Sequence, residues 1–144
     1  MKTIKKYELK VNKTEIAESK ISNSEDAYNY IRGFYGDDIH IYESSFILLL
    51  NRANTVVGYA KISQGGVAGT IIDFKIVLKY VIDSLASGFI MAHNHPSGNM
   101  TASVEDNKFT ERLKHICSYL DCTFLDHIIV GDTTYYSYSD NGKL

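Results

Sequence analysis

The chain has 144 residues, 44% of them hydrophobic, and a formal net charge of −2 at pH 7. This length favours one globular domain, residues 1–144, with a substantial core, and the slightly acidic balance excludes a predominantly basic, nucleic-acid-binding surface. Two cysteines are too few for a disulfide scaffold, and without a signal-peptide core or an apolar run of transmembrane length we predict a cytoplasmic protein with no membrane partner.

The chain begins with a lysine-rich stretch. Residues 1–20 carry six lysines and three glutamates, and Tyr7–Val11 alternates apolar and polar side chains. This pattern predicts a solvated edge strand, with a partner-binding arm as the alternative. Ser22-Asn23-Ser24-Glu25 fits a capping box and predicts a helix that ends near Gly36. Its core-facing side chains are expected to be Ala27, Tyr30, Ile31 and Phe34.

A hairpin and a helix are predicted next. Phe46–Leu50 is almost wholly apolar, which is typical of a strand buried on both faces, and Val56–Ile62 follows after a turn as its hairpin partner. The glycines within residues 64–70 predict a mobile loop. From about Phe74 to Ala86 the pattern is helical and nearly all apolar, so we expect a buried helix.

Two histidines follow the next predicted strand. Gly88–Ala92 is an apolar run that leads directly to His93 and His95. Because residues i and i+2 of a strand point to the same face, both imidazoles can approach one point in space. Pro96 and Gly98 then break the strand.

The C-terminal elements complete a mixed fold. A helix is predicted from Val104 to about Leu120, with the core-facing residues Val104, Phe109, Leu113, Ile116, Cys117 and Leu120. Thr123–Val130 and Tyr135–Ser139 are predicted strands, and Cys117 and Cys122 are expected to be small buried hydrophobic residues. Strands that alternate with helices but also form hairpins predict an α/β fold, a mixed sheet with helices on both faces.

His93, His95 and Asp106 together suggest a metal site. Asp106 falls in the first turn of the predicted helix, and two imidazoles with one carboxylate are the ligand set of a catalytic zinc site whose fourth position is open to water. Each residue also has a simpler interpretation. The histidines could be strand-end side chains bonded to backbone, and Asp106 could be a capping carboxylate favoured by the helix dipole.

The spacing of these residues resembles that of a known family. His93-x-His95, seven residues, Ser103, two residues and Asp106 is similar to the JAMM motif of JAB/MPN metalloproteases, and His-Asn-His-Pro-Ser-Gly resembles the bacterial RadC branch. The resemblance continues through Leu125–Gly131 and covers roughly residues 43–144, after an N-terminal strand and helix in residues 1–42. It implies the JAB/MPN fold, a three-layer sandwich similar to cytidine deaminases, and a zinc-dependent peptidase or isopeptidase acting on an unidentified peptide or isopeptide-linked protein.

The resemblance also implies roles for residues outside the ligand set. Glu43, just before the apolar strand, matches the family glutamate that acts as general acid/base, although a solvated acid at a strand entrance explains it locally. Ser103 matches the motif serine, a donor to the transition-state oxyanion, although a plain N-cap is the local explanation. Asp126 and His127 match the family's Asp-His pair, and they are either supports for the ligands or ordinary core residues.

Two departures bear on function. RadC-type sequences usually carry Pro-Arg-Glu where this chain has Phe74-Lys75-Ile76, and lysine does not replace arginine at a bidentate site. The RadC helix-hairpin-helix region has no counterpart in residues 1–144, which weakens an inherited DNA role.

Three functions are in competition. A zinc peptidase is favoured over a DNA-processing protein and over a non-catalytic binding module, because all the ligand types are present and the charge predicts only weak DNA binding. A zinc deaminase is excluded because His-x-Glu and Pro-Cys-x-x-Cys are absent.

Overall fold

The computed structural model describes residues 1–8, 10–66 and 71–144, which contain a five-stranded mixed sheet. Its strands are β1 (Ser44–Leu50), β2 (Val56–Gln64), β3 (Gly88–Asn94), β4 (Thr123–Val130) and β5 (Tyr135–Ser137). Their order across the sheet is β2-β1-β3-β4-β5. The β3–β4 pair is parallel and the other three pairs are antiparallel, so the mixed sheet predicted from the sequence is confirmed.

Helices cover both faces of this sheet. They are α1 (Ser24–Arg32), α2 (Phe74–Asp83) and α3 (Val104–Cys117), and a turn of 3₁₀ helix spans Asp37–His40. Successive residues of β1 point to opposite faces. Leu48 packs in the cluster that includes Ile31 of α1, whereas Ile47 packs in the cluster that includes Val77 of α2 and Leu113 of α3. The α/β fold with helices on both faces is therefore confirmed.

The central strands place the candidate residues at one edge of the sheet. Every residue of β1 and of β3 is buried, which agrees with the apolar runs in their sequences. The two strands run antiparallel, with Ser45 opposite His93, so the start of β1 lies beside the end of β3. Since α3 connects the parallel strands β3 and β4, its first turn also begins at this edge.

A tight turn carries the chain out of β3 towards α3. The Gly98 N–H donates to the His95 carbonyl at 2.8 Å, and Gly98 has a φ of +79°. Glycine adopts that left-handed conformation without the Cβ clash that other residues meet. The predicted break after the histidines therefore lies where Pro96 and Gly98 indicated.

The prediction of a strand at Tyr7–Val11 is wrong for the residues that the structure describes there. Residues 7, 8, 10 and 11 are exposed and lie in no strand, and Leu9 falls outside the described residues. The chain first bonds to the hairpin at Ser19, whose carbonyl accepts from the Val56 N–H at 2.9 Å. Alternation predicts a strand only where a partner supplies hydrogen bonds, and periodicity alone does not reveal a partner.

The first helix begins one residue later than its capping box suggested. Asn23, not Ser22, is the N-cap, and its side chain accepts from the Asp26 N–H at 2.8 Å. The Asp26 carboxylate in turn accepts from the Ser22 N–H at 2.8 Å. Ala27 and Ile31 are buried as predicted, together with Tyr28, whereas Tyr30 and Phe34 are only partly buried.

The prediction of a buried second helix is correct for only one side of that helix. Helix α2 ends at Asp83, and only one side of it meets the sheet: Val77 is 0% exposed, whereas Ile76 is 41% and Ile82 is 53% exposed. In α3, Val104 is likewise exposed. An apolar residue can lie at the surface without an obvious cost, so composition alone overestimated the burial.

The remaining sequence predictions concern a loop, the two cysteines and membrane-spanning segments. Strand β2 extends to Gln64, and residues 67–70 of the predicted mobile loop lie outside the described residues. Cys117 is buried, and burial raises the pKa of its thiol to about 11; Cys122 is partly buried, and both thiols are free, as expected. None of the helices in the described part of the chain has the length and apolar character needed to cross a membrane.

Candidate metal centre

The two motif histidines converge at the end of β3. His93 is the penultimate residue of the strand and is only 2% exposed, and His95 follows the strand directly. Their Nε2 atoms lie 3.0 Å apart. The strand periodicity therefore brings both imidazoles to one point.

Asp106 reaches the same point from the first turn of α3. Its Oδ1 lies 3.3 Å from His93 Nε2, and its Oδ2 lies 3.1 Å from His95 Nε2. The same carboxylate accepts from the Ser103 N–H at 2.9 Å, while the Asp106 N–H donates to Ser103 Oγ at 3.0 Å. This is a capping box. Asp106 thus caps the helix and contacts both imidazoles at once.

Glu43 also lies close to the two histidines. It directly precedes β1, and it forms with His93 and His95 a group whose candidate metal-ligand atoms all lie within 4.8 Å of one another. Two carboxylates, Glu43 and Asp106, therefore reach the imidazole pair. The arrangement is a possible metal-binding site in which either carboxylate is close enough to take part.

The proton on His95 can be located from its backbone contact. Its Nδ1 lies 2.7 Å from the Asn99 carbonyl oxygen. A carbonyl oxygen can only accept a hydrogen bond, so Nδ1 carries a hydrogen. In the neutral ring the lone pair is then on Nε2, which faces His93 and Asp106.

A longer chain of contacts gives the same result for His93. The Thr110 hydroxyl donates to the Asp106 backbone carbonyl at 2.8 Å and lies 2.6 Å from His127 Nδ1. Because the Thr110 hydroxyl hydrogen is already donated to the Asp106 carbonyl, the hydroxyl oxygen can only accept from His127. His127 Nδ1–H is therefore the donor. The His127 ring is neutral, since burial lowers its pKa well below the usual value. Its Nε2 then accepts from His93 Nδ1–H at 2.8 Å.

When both rings are neutral, each ligand candidate therefore presents an Nε2 lone pair to the Asp106 carboxylate. Two lone pairs and a carboxylate in contact repel one another unless a cation lies among them. A proton can be that cation. The hydrogen bond to Asp106 is the largest influence that raises the pKa of His95. Burial acts to raise the pKa of Asp106, but its hydrogen bonds to the two histidines outweigh burial and hold that pKa well below its usual range. A metal cation fits the same donor set.

Asp126 and His127 serve different parts of the structure. They are consecutive on β4 and point to opposite faces. The His127 ring contacts His93 and stacks on Tyr138 with ring centroids 5.1 Å apart. The Asp126 carboxylate instead accepts from the Ser137 hydroxyl at 2.6 Å. Only the histidine of this pair touches a metal-ligand candidate.

Sequence reasoning missed two residues that contact the site. Thr110 lies one helical turn after Asp106, so its place on the same face of α3 could have been derived from i, i+4 spacing. Asn94 stands between the histidines and points to the opposite face of the sheet. No periodicity singles out the contacts that it makes.

An open cavity of about 510 Å³ adjoins the connection from β3 to α3. Its lining is polar and apolar in similar measure and comes from Asn99, Met100, Thr101, Ala102, Asn107, Tyr136 and Lys143. None of these lining residues is a metal-ligand candidate. The cavity is therefore a neighbour of the metal centre and not the centre itself.

Comparisons with known proteins agree with this geometry. A family model described as a RadC-like JAB domain matches residues 21–143. The chain belongs to the RadC-like JAB domain family. The match begins before β1 and includes Glu43, both histidines, Ser103 and Asp106, so the whole candidate site lies within the RadC-like JAB region.

Similar chains occur in several bacteria. This RadC-like JAB domain is 40% identical over 123 residues to a UPF0758 protein of Flavobacterium johnsoniae, a match that covers 85% of this chain and 53% of the relative. A UPF0758 protein of Porphyromonas gingivalis is 35% identical over 125 residues, covering 86% and 54%, and one of Neisseria gonorrhoeae is 36% identical over 127 residues, covering 88% and 56%. The chain spans about half the length of these relatives.

The segment Phe74-Lys75-Ile76, which departs from the RadC pattern, forms the first turn of α2. Phe74 stacks on Phe109 of α3 with ring centroids 4.9 Å apart, and the Arg112 guanidinium lies 4.6 Å from the centre of the Phe74 ring. Lys75 is exposed. In this chain the segment therefore packs α2 against α3.

Proposed function

We propose that this chain is a zinc-dependent hydrolase of amide bonds, a metallopeptidase or isopeptidase of the JAMM class, with His93, His95 and Asp106 as its zinc ligands. The observation that carries the proposal is the convergence of two imidazole Nε2 atoms on one carboxylate. A tetrahedral zinc ion with bonds of about 2.1 Å separates its donor atoms by about 3.4 Å. The contacts of 3.0, 3.1 and 3.3 Å among these three residues are close to that value.

Zinc held there would supply Lewis-acid activation of a water molecule and of the scissile carbonyl. Glu43 is the general acid/base, which takes the proton of the attacking water and passes it to the leaving amine. Its position within 4.8 Å of the histidine nitrogens supports this role. We assign Asp106 as the third ligand because it contacts both imidazoles directly, and we assign Glu43 as the base because the family resemblance implies that role.

Ser103 donates a hydrogen bond to the oxyanion that develops on the scissile carbonyl. Its Oγ accepts from the Asp106 N–H at 3.0 Å, which occupies a lone pair and leaves the hydroxyl hydrogen able to donate. That bond also holds Ser103 beside a proposed ligand. The N-cap and the oxyanion roles therefore use different parts of one hydroxyl group.

The family resemblance suggests the substrate class, and an activated water with a proton shuttle to a leaving amine suits it. A peptide bond and an isopeptide bond to a lysine side chain both have such a leaving group. We propose a peptide or an isopeptide-linked protein as the substrate.

The test combines metal analysis with turnover. We expect about one zinc per chain and chelator-sensitive cleavage in a screen of internally quenched peptides and lysine isopeptides. Glu43→Gln should keep zinc but lower turnover by about 10²–10⁴-fold, because the amide is nearly isosteric and cannot accept a proton at neutral pH. His95→Ala should lose zinc and turnover together.

Near-wild-type turnover in Glu43→Gln would show that another carboxylate is the base. Full zinc retention in His95→Ala would remove His95 from the ligand set. The paired variants separate the two roles, since both should lose turnover but only His95→Ala should lose zinc.

A further inference from the structure

Asn94, the residue between the two histidines, makes three hydrogen bonds to one short stretch of backbone. Its Nδ2 donates to the Ile39 carbonyl at 2.7 Å and to the Tyr42 carbonyl at 2.8 Å. Its Oδ1 accepts from the Ser44 N–H at 2.8 Å. The side chain is 0% exposed. Tyr42 and Ser44 are the two neighbours of Glu43 in the chain.

These bonds require a carboxamide at position 94. Two carbonyl oxygens can only accept and an N–H can only donate, so the side chain must offer two hydrogens on one atom and an acceptor on another. Aspartate has the acceptor but would place a second oxygen against the two carbonyls. Leucine has a similar volume but would leave all three backbone groups without the hydrogen bonds that Asn94 makes to them.

The stretch that Asn94 holds is fixed at further points. The Gly65 N–H donates to the Glu43 carbonyl at 2.8 Å, and the Tyr35 hydroxyl donates to the Ser44 carbonyl at 2.7 Å. The backbone of Glu43 is thereby bonded on both sides and at its own carbonyl.

We propose that Asn94 is a positioning residue that fixes Glu43 relative to His93 and His95. Strand alternation explains how one tripeptide does this: the histidines point towards α3, and Asn94 points to the opposite face and binds the segment that carries the acid/base. This inference rests on the proposed role of Glu43. It adds that the distance between ligands and base is set within the His-Asn-His sequence itself.

The direct test uses zinc alone as the probe. Protein labelled with ¹³C at glutamate carboxyl carbons should show a change in the Glu43 resonance when zinc is added, and Glu43→Gln identifies that resonance by removing it. In Asn94→Ala the change should be much smaller although zinc still binds, because the carboxylate is no longer held near the imidazoles. An unaltered response in Asn94→Ala overturns the proposal.

Asn51 provides a matched control at the opposite end of β1. Its Oδ1 accepts from the Ala53 and Thr55 N–H groups at 2.9 and 3.1 Å, so Asn51→Ala also removes an asparagine that holds a turn. It should leave the Glu43 response to zinc unchanged. An equal loss of the response in both variants would mean that general destabilisation, and not Asn94, is responsible.

Turnover supplies a second test once a cleaved peptide is known. Asn94→Ala should lower kcat by roughly 10–10²-fold, the effect of a misplaced catalytic group, with little change in KM. Combined with Glu43→Gln it should cause no further loss, because the residue through which it acts is already disabled. A loss that adds fully to that of Glu43→Gln contradicts the positioning role.

Hydrogen exchange in the wild-type protein is a further test, which requires neither a folded variant nor an activity assay. The side-chain amide hydrogens of Asn94 and the Ser44 N–H should exchange slowly with solvent compared with the exposed Asn99 side chain. Rapid exchange of the Asn94 amide overturns the inference even if the protein proves to be an active peptidase. Slow exchange in a protein that binds no zinc would support the Asn94 contacts but contradict the proposed zinc-dependent function.

Discussion

The Asp126 carboxylate is 6% exposed and accepts hydrogen bonds from the Ser137 hydroxyl and from the backbone N–H groups of His127 and Ser139. Burial is the largest influence on its pKa and raises it, while these hydrogen bonds lower it; the net shift is upward. The carboxylate connects β4 to the strand β5 and the turn that follows. It is a structural acid beside a histidine that contacts His93 of the candidate metal centre.

This raised pKa predicts a pH-dependent effect of Asp126→Asn. A group whose folded pKa exceeds its unfolded value of about 3.9 contributes stability at low pH and loses it as pH rises through the folded pKa. The variant cannot titrate at this position. We therefore expect the free energy of unfolding of the wild type to fall relative to that of Asp126→Asn between about pH 4 and about pH 7. Urea unfolding at both pH values measures it.

Asp121→Asn serves as the comparison for that experiment, because it removes an exposed carboxylate outside this network. Parallel unfolding curves for the wild type and Asp126→Asn at all pH values would contradict the assignment of a raised pKa.

At the scale of elements, the apolar runs identified most of the structure. Phe46–Leu50 and Gly88–Ala92 lie within β1 and β3 because continuous apolar sequence has no stable place except between two covered faces. The spacing from His93 to Asp106 predicted that these side chains converge, and the contacts among them agree. Periodicity failed at Tyr7–Val11 and on α2, where the outcome depends on whether a neighbour covers the segment.

The contacts made by Asn94 could not be predicted from the sequence, because they also depend on distant neighbours. They join β3 to backbone 50 to 55 residues earlier in the chain. A local pattern reports faces and turns but not which distant carbonyl lies opposite a given side chain. Thr110 was more accessible, since helical spacing alone places it near Asp106.

Helix α2 provides a direct test of the observed burial. Val77→Ala removes buried methyl groups and should lower the free energy of unfolding by about 2 kcal/mol. Ile76→Ala, at the neighbouring position that is 41% exposed, should cost less than about 1 kcal/mol. Denaturant unfolding of both variants makes the comparison. Equal losses would support the wholly buried helix predicted from composition.

At the scale of the whole molecule, we expect the core not to depend on metal. Two hydrophobic clusters lie on opposite faces of the sheet, so chelation should leave the far-UV circular dichroism spectrum unchanged. It should lower Tm by on the order of 10 °C at a zinc concentration of about 100 times Kd, because bound ligand stabilises the folded state by about 2.7 kcal/mol under those conditions. Unfolding on chelation would make the metal structural.

The charge distribution leads us to expect weak DNA binding. The net charge is −2, and the lysine-rich residues 1–20 form no helix or strand in their described part. A fluorescence anisotropy titration with a short duplex at physiological salt should give a Kd no tighter than about 1 μM. Tighter binding with a steep dependence on salt would favour the DNA-processing alternative.

The β3–α3–β4 connection has a consequence for how the molecule acquires its chemistry during folding. His95 and Asp106 are 11 residues apart and lie in one crossover unit, whereas the Ser44–Asn94 contact that flanks Glu43 closes a separation of 50 residues. Longer loops cost more entropy to close and their contacts form more slowly. We expect a refolding chain to capture zinc before Glu43 arrives, so that metal uptake precedes the recovery of turnover.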